Sequence, residues 1–164
     1  MAYICGCLMA NFQFKNWKDL TSLIKKEDIY DNEEHEFGIE TKPHCTIVFG
    51  FDKKITINDI KPFLTIPLDK IKVEADAISL FENDEFDVVK ISCKSDALKT
   101  LNSSIMKEFD IHSDYPDYEP HITIAYTKPG MGKKYVKKFR SKLNFTPKYF
   151  TYSSPDKQTI KFKL

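Results

Sequence analysis

A chain of 164 residues, of which 41% are apolar, is long enough to bury a hydrophobic core of its own. Its 25 basic and 24 acidic residues leave a formal net charge of +1, which excludes a protein that is drawn to long nucleic acids by overall charge. An anionic ligand must therefore be met by a local site.

The cysteine pattern favours a reduced, intracellular setting. Three of the four cysteines lie in segments with strand character, where free cysteine behaves as a small buried hydrophobe. Cys5-x-Cys7 lacks the second pair that a zinc site needs, so we expect neither a metal nor a cofactor. No signal-peptide pattern opens the chain, and no apolar run is long enough to span a bilayer. We expect a cytoplasmic protein with free thiols and no membrane partner.

The first part of the chain predicts a strand, a helix and a long loop. Residues 3–12 are apolar and aromatic, as is typical of a strand. Asn16 can cap a helix that runs to about Lys26. Residues 27–42 are polar, acidic and aperiodic, which predicts a loop. The side chains that the helix would bury are Trp17, Leu20, Leu23 and Ile24.

The middle of the chain predicts a short helix, a hairpin and a longer helix. A strand ends near Phe51, after which Thr56 can cap a helix that Pro62 keeps short. Residues 71–81 alternate in polarity, and a second strand follows the acidic turn at Asn83, which together predict a hairpin. Ser95 caps a helix to about residue 108. Its apolar face would carry Leu98, Leu101, Ile105 and Phe109.

The last part predicts a loop, a basic helix and two short strands. Residues 112–119 form an acidic, tyrosine-bearing loop, and 128–132 are rich in turn residues. The stretch 132–143 is predicted to be a helix, and 149–152 and 159–162 to be strands. The basic side chains of that helix would form a solvated face able to help retain a polyanion: Lys133, Lys134, Lys137, Lys138 and Arg140.

A repeated motif organises the chain. Residues 43–47 and 120–124 share the pattern Pro-His-x-Thr-Ile, and each copy stands at a predicted strand start behind a polar loop. In an extended segment alternate side chains leave on one face, so each histidine and its threonine should point the same way, together with Val48 and Ala125. The copies lie too far apart for a solenoid, which favours two pseudo-symmetric lobes that bring two imidazoles to one spot.

Two copies of His-x-Thr suit phosphodiester chemistry. In-line displacement needs a base for the attacking oxygen and an acid for the leaving oxygen, and histidine serves both roles near neutral pH. A threonine hydroxyl can donate to a non-bridging phosphate oxygen. A single copy would more often be an ordinary half-buried strand. The duplication at loop–strand junctions predicts a metal-free phosphoesterase with His44, Thr46, His121 and Thr123 as catalytic residues.

The two motifs, His44-Cys45-Thr46 and His121-Ile122-Thr123, resemble the paired motifs of the 2H phosphoesterase superfamily. That superfamily includes 2',5'-RNA ligase-like proteins, cyclic phosphodiesterases and 2',5'-oligoadenylate phosphodiesterases, and the resemblance extends over the whole chain. It implies an α+β fold with antiparallel sheets around a central groove and helices on the outside. It also implies one domain of two intertwined, pseudo-symmetric lobes over residues 1–164, and a metal-independent mechanism.

The segments around the motifs, such as Tyr-Pro-Asp-Tyr-Glu-Pro-His at the second, resemble a bacteriophage branch that includes the anti-CBASS nucleases. Those enzymes degrade the cyclic di- and trinucleotide signals of bacterial antiviral defence. The resemblance implies cleavage of a 3'-5' bond in such a cyclic substrate, or another small oligonucleotide, through a 2',3'-cyclic phosphate. Such an activity requires no long nucleic acid. If the protein is phage-encoded, it would act in the host cytoplasm.

Aromatic side chains near the groove are candidates for stacking on nucleobases. The candidates are Phe12, Phe49, Phe51, Tyr115, Tyr118, Tyr126 and Tyr152. We favour Phe12, Tyr126 and Tyr152 as substrate-binding residues, with Lys128 as a phosphate partner. Three alternatives stay open: a related enzyme acting on 2'-5' oligoadenylate or RNA 2',3'-cyclic phosphate ends, a non-catalytic nucleotide sponge, and a structural protein with inert histidines.

Overall fold

Eight strands form two four-stranded antiparallel sheets in the computed structural model, which describes residues 5–34, 36–113 and 117–163. The strands are β1 (Gly6–Asn11), β2 (His44–Phe51), β3 (Val73–Glu82), β4 (Asp87–Lys94), β5 (His121–Thr127), β6 (Lys137–Phe145), β7 (Tyr149–Ser153) and β8 (Thr159–Phe162). The first sheet has the order β2-β1-β7-β8, and the second has the order β5-β4-β3-β6. The predicted α+β class with antiparallel sheets is confirmed.

The helices are few and pack on the outer faces of the sheets. They are α1 (Trp17–Thr21), α2 (Ile57–Ile60) and α3 (Asp96–Glu108), with short 3-10 turns at Lys26–Asp28, Lys61–Phe63, Leu68–Lys70 and Lys133–Tyr135. Helix α3 contacts β2, and α1 contacts β5. Within the described residues, no helix is long and apolar enough to cross a membrane.

Helix α3 begins and packs as predicted. The Ser95 hydroxyl caps it by accepting a hydrogen bond from the Leu98 N–H at 3.3 Å. Its buried face carries Leu98, Leu101 and Ile105. The Asn102 side chain donates to the carbonyl of Ile47 at 2.7 Å, which fixes α3 against the first motif strand. The helix thereby covers the face of β2 that turns away from its motif histidine.

Helix α1 is shorter than predicted, because it ends at Thr21 and not near Lys26. The Ser22 hydroxyl donates to the carbonyl of Asp19 at 2.8 Å, and such local side-chain bonds compete with further helical turns. As a result Leu23, predicted to be buried, is 64% exposed, whereas Trp17 is buried as predicted. Helical spacing alone could not show where the helix stops.

The long loop after α1 covers the outer edge of β5. The Tyr30 N–H donates to the Tyr126 carbonyl at 3.0 Å, and the Tyr126 N–H donates to the Gly38 carbonyl at 2.8 Å. The Glu40 N–H reaches the Ile124 carbonyl at 2.9 Å. Because these bonds occupy the free edge of the strand, the loop shields the second sheet from edge-to-edge pairing.

The predicted helix over 132–143 is wrong. A 3-10 turn at Lys133–Tyr135 leads into β6, an edge strand that pairs with β3. Phe139 packs against the core while its neighbours Lys138 and Arg140 are exposed, as expected for successive side chains on opposite faces of a strand. Its basic residues are typical of an exposed sheet edge and do not form a helix face.

The two motif strands are sheet edges that contact each other. Strand β2 pairs with β1 at one edge of the first sheet, and β5 pairs with β4 at one edge of the second. Because β2 also contacts β5, the two motif strands lie side by side where the sheets meet. The predicted repeat thus corresponds to two similar lobes joined along their motif strands.

Candidate active site

The first motif strand carries an irregularity directly after its threonine. His44 and Thr46 face Asn11 and Met9 across the ladder with β1, and the register then skips Ile47. Such a skipped residue is a β-bulge, which bends the strand and re-aims the side chains that follow.

The second motif strand carries the same irregularity at the same place. His121 and Thr123 face Ser92 and Lys90 across the ladder with β4, and the register then skips Ile124. The bulge thus falls three positions after the histidine in both copies. The two lobes share this backbone detail in addition to the motif itself.

The bulges correct the expected alternation beyond the threonines. Val48 and Ala125, predicted to share the face of the histidines, are buried in the core. The exposed and half-buried residues are instead Phe49 and Tyr126, each one position further along. Each motif therefore presents a histidine, a threonine and an aromatic ring, and this third member is recognisable in the sequence only once the repeat is extended.

The two histidines are held in the same orientation. The Nδ1 atom of His44 lies 2.9 Å from the carbonyl of Lys42, and the Nδ1 atom of His121 lies 3.1 Å from the carbonyl of Glu119. A carbonyl only accepts, so Nδ1 carries the proton in both rings. Among the described residues neither Nε2 has a hydrogen-bond partner, so each can take a proton when the ring is neutral and give one when it is charged.

Electrostatics distinguish His121. Burial lowers its pKa below the ordinary histidine value, its bond to the Glu119 carbonyl opposes this, and the charges of Lys90 and His44 lower the pKa further. The contribution from His44 places the two imidazoles within electrostatic reach of each other. A neutral imidazole with a free Nε2 is ready to act as a base.

Both motif threonines are half-buried beside their histidines. Across residues 5–34, 36–113 and 117–163, neither hydroxyl has a hydrogen-bond partner within the protein. A threonine hydroxyl with no internal acceptor can donate to a ligand oxygen. Thr46 and Thr123 thus supply one donor next to each histidine.

Tyr118, in the loop before the second motif, supports the first motif from behind. Its hydroxyl donates to the carbonyl of Thr46 at 2.9 Å and lies 3.5 Å from the Sγ atom of Cys45. Burial raises the pKa of Tyr118 and raises that of Cys45 to about 11, so both groups stay protonated at neutral pH. Cys45 is consequently a core residue, as its predicted face implied, and not a nucleophile.

Two residues that were predicted to bind substrate lie in the core, and the structure corrects this prediction. Phe12 is 3% exposed, and its ring packs against Phe14 and Phe145 at centroid distances of 5.8 and 5.1 Å. Tyr152 is 2% exposed and donates its hydroxyl to the carbonyl of Ile55 at 2.8 Å. Neither ring has a free face, so neither can stack on a nucleobase. Phe51 is buried as well.

The other predicted binding residues remain at the surface. Tyr126 is half-buried, and its ring contacts Phe37 and Phe86 at 5.1 and 5.3 Å. Lys128 is exposed beyond the end of β5, where its N–H donates to the carbonyl of Asp28. Tyr115 lies outside the described residues.

Phe49, one of the aromatic candidates named from the sequence, and Lys90, which the sequence did not single out, join the candidate site. Phe49 is 63% exposed next to the first motif, and Lys90 faces Thr123 across the ladder. Lys90 is placed near the second motif by the pairing of β4 with β5, and no local sequence pattern predicts this position. Within the described part of the chain, no three His, Cys, Asp or Glu side chains are grouped so that they could hold a metal ion.

Comparison with known proteins agrees with this geometry. The family model described as anti-CBASS protein Acb1 matches residues 7–159. The chain belongs to the anti-CBASS protein Acb1 family. The match includes both motifs of this Acb1-family protein and all of β2 to β7, together with β1 from its second residue and only the first residue of β8. No curated protein matches the chain in sequence.

A solved structure with a TM-score above 0.5 supports the fold. The protein TT0787 of Thermus thermophilus is similar with a TM-score of 0.59 and 13% identity, over 98% of this chain and 94% of that one. A structure titled as a phosphoesterase has a TM-score of 0.49 and 11% identity, over 96% of this chain and 95% of that one. At such identities, TT0787 supports the fold of the Acb1-family chain and nothing finer.

Proposed function

We propose that this Acb1-family protein is a metal-independent phosphodiesterase that cleaves a 3'-5' bond of a cyclic di- or trinucleotide. The observation that carries the proposal is the matched pair of histidines, each with Nδ1 bound to a carbonyl and Nε2 free. In-line displacement needs one proton acceptor and one proton donor on opposite sides of phosphorus. Two such rings on adjoining strands meet that need.

The proposed reaction begins at a ribose 2'-OH. His121 takes its proton, the oxygen attacks the adjacent phosphorus, and the bond from phosphorus to the 5' oxygen breaks while His44 protonates that oxygen. The product ends in a 2',3'-cyclic phosphate, which water opens with the two roles reversed. We assign the base role to His121 because its lowered pKa favours the neutral ring near pH 7.

Thr46 and Thr123 hold the phosphate in this scheme. Their unpartnered hydroxyls donate to the non-bridging oxygens, which carry the negative charge that grows in the transition state. No step requires a metal ion or a cofactor. Phe49 and Tyr126, one per motif, are the candidates for contacting the flanking bases, since stacking holds a base with little regard to its identity.

The substrate class follows from the family. The Acb1 model carries the description anti-CBASS protein, and the signals of that defence are cyclic oligonucleotides. A protein that opposes it by cleaving them acts in the host cytoplasm and needs neither a membrane nor a long nucleic acid. A small net charge of +1 is consistent with a small, locally bound anion.

Incubation with a panel of nucleotides tests the proposal. The panel contains cyclic dinucleotides, cyclic trinucleotides, 2'-5' oligoadenylate and a mononucleoside 2',3'-cyclic phosphate, and chromatography identifies the products. We expect cleavage of at least one cyclic di- or trinucleotide. Cleavage of only 2'-5' oligoadenylate or the 2',3'-cyclic phosphate would assign a different 2H reaction. Tight binding without cleavage would favour a sponge. The absence of both binding and cleavage would contradict a nucleotide site.

A further inference from the structure

Lys90 on β4 is a half-buried lysine without an acidic partner. Its Nζ donates to the Ser79 hydroxyl at 2.8 Å, and none of the ion pairs among the described residues includes it. Burial lowers its pKa, and the charge of Glu119 opposes this effect without forming an ion pair with Lys90 among those the structure describes. A partly desolvated ammonium group that no carboxylate neutralises is unfavourable unless an anion is supplied from outside the protein.

The side chains of Ser79 and Ser92 join the Lys90 ammonium group in a hydrogen-bonded network that has more donors than it uses internally. The hydroxyls of Ser79 and Ser92 lie 2.5 Å apart, and Ser79 already accepts from Lys90. An ammonium group carries three N–H donors and each serine carries one O–H. After the two internal bonds, two ammonium protons and one hydroxyl proton remain for an external acceptor. The network is therefore suited to an anion.

The network shares a face with the second motif. Two rows cross the sheet on that face, because ladder partners project on the same side: Thr123, Lys90 and Ser79 in one, and His121, Ser92, Ala77 and Lys138 in the other. Adjacent strands are about 4.8 Å apart. Lys90 bends toward Ser79 and thus away from β5. Its charge lies roughly 5 to 10 Å from the motif strand.

We propose that Lys90, Ser79 and Ser92 form a subsite for the phosphate next to the scissile one. This subsite rests on the proposed function, in which Thr46 and Thr123 hold the scissile phosphate. The distance from β5 is of the order of the spacing between neighbouring phosphates in a nucleotide chain, and the Lys90 side chain reaches toward Ser79 on β3, on the side of β4 opposite β5. The enzyme consequently prefers substrates with two neighbouring phosphates, as in a cyclic oligonucleotide.

The test compares two substrates in two variants. Cyclic di-AMP has two phosphates, whereas adenylyl-3',5'-adenosine has one phosphodiester and the same attacking 2'-OH. Lys90→Met keeps the length of the side chain but removes its charge, and Lys99→Met removes an exposed charge on α3 as a control. We expect Lys90→Met to lower kcat/KM for cyclic di-AMP roughly 10- to 100-fold more than for the dinucleotide, as for a lost charge-assisted bond, because only the cyclic substrate would bring a second phosphate to Lys90.

Further variants make the result decisive. Lys90→Arg should restore most of the preference, and Ser79→Ala should weaken it without removing a charge. An equal loss on both substrates would place Lys90 at the scissile phosphate and overturn the subsite, and so would no loss on either. Thermal unfolding of Lys90→Met identifies a folding defect, in which case Ser79→Ala and Lys90→Arg decide.

Binding separates failure of the subsite from failure of the proposed function. If the wild-type protein cleaves neither substrate and none of the cyclic di- and trinucleotides of the panel, the proposed function fails. The affinity for cyclic di-AMP, measured by calorimetry for wild type, Lys90→Met and Lys99→Met, then tests the subsite directly. Weaker binding in Lys90→Met alone supports it, and equal affinities in all three proteins, or no binding to any, overturn it.

Discussion

The two motif strands agree in backbone and differ in their neighbours. Each places a histidine and a threonine on one face, binds Nδ1 of the histidine to the carbonyl two residues before it, and bulges directly after the threonine. Across the ladder, His44 faces Asn11, whose side chain is buried and accepts a hydrogen bond from Thr151 at 2.6 Å. His121 faces Ser92 in the donor network of Lys90.

This difference suggests that the two lobes have different roles in binding and reaction. The shared backbone aims two equivalent imidazoles at one place, which suffices for proton transfer in either direction. The ladder partner of His44 is a neutral, internally bonded amide, whereas the ladder partner of His121 belongs to a network that contains a lysine. The same cation lowers the pKa of His121, after the larger effect of burial. In the proposed reaction, the features that the two motifs share would provide the proton transfers, and the features that differ would determine where the substrate lies and which histidine is the base.

The largest expected effects come from the histidines. His44→Ala and His121→Ala should each reduce kcat by about 100- to 10,000-fold, as expected for loss of a general acid or base. A nucleoside 3'-(p-nitrophenyl phosphate) has a leaving group that needs no proton, so it should largely rescue His44→Ala and not His121→Ala. The release of nitrophenolate, followed by its absorbance, measures the activity of both variants.

His112 provides the matched control for these variants. It is an exposed histidine outside both motif strands, and its Nε2 atom lies 3.3 Å from the carboxylate of Asp110. His112→Ala should retain wild-type activity. Rescue of His121→Ala in place of His44→Ala would reverse the assigned roles, and full activity in both motif variants would refute two-histidine catalysis.

The threonines should have the next largest effect. Thr46→Val and Thr123→Val keep the branched shape and remove one phosphate donor each, so we expect a loss in kcat on the order of 100-fold with each. Thr→Ser at the same positions retains the hydroxyl and should stay within about tenfold of wild type. Steady-state kinetics on the cleaved cyclic substrate would contradict the scheme if the valine and serine variants behaved alike.

A smaller effect should separate exposed from buried aromatics. Phe49→Ala removes a stacking surface and should raise KM roughly 5- to 100-fold, with no change in thermal stability. Phe12→Ala removes a core ring and should lower the free energy of unfolding by about 3–5 kcal/mol. Kinetics and chemical denaturation on both variants test the placement. A raised KM in Phe12→Ala at unchanged stability would restore Phe12 to the site.

The smallest expected effect is a shift in titration. Because burial and the charge of Lys90 lower the pKa of His121, its ring should lose its proton below the ordinary midpoint of about 6.5. Lys90→Met removes one of these causes, so the midpoint should rise. NMR of the imidazole protons follows both proteins against pH. A midpoint above the ordinary value in wild type would argue against His121 as the base.

Local signals in the sequence were reliable where a single element decides its own structure. The Ser95 cap with its apolar face predicted α3, and turn residues predicted the β3–β4 hairpin. The predictions were wrong where contacts between distant parts of the chain determine the structure. Pairing with β3 makes β6 a strand despite its helix-like apolar spacing, and core packing removes Phe12 and Tyr152 from the surface.

The candidate site divides in the same way. His44, Thr46, His121 and Thr123 could be named because the motif is repeated in the sequence. The bulges after Thr46 and Thr123 could not, since they depend on the register with β1 and β4. Lys90 is one lysine among many until strand pairing places it opposite Thr123. Chemistry carried by a repeat is visible in sequence, whereas chemistry carried by a neighbouring strand is not.

The most direct test of the two-histidine account uses one pair of substrates with EDTA present. Cyclic di-AMP and its 2'-deoxy counterpart differ only in the proposed nucleophile, and mass spectrometry identifies the ends of any product. The account predicts that the ribose compound is cleaved in EDTA to products that pass through a 2',3'-cyclic phosphate, and that the deoxy compound stays intact. Cleavage of the deoxy compound, or complete loss of activity in EDTA, would contradict it.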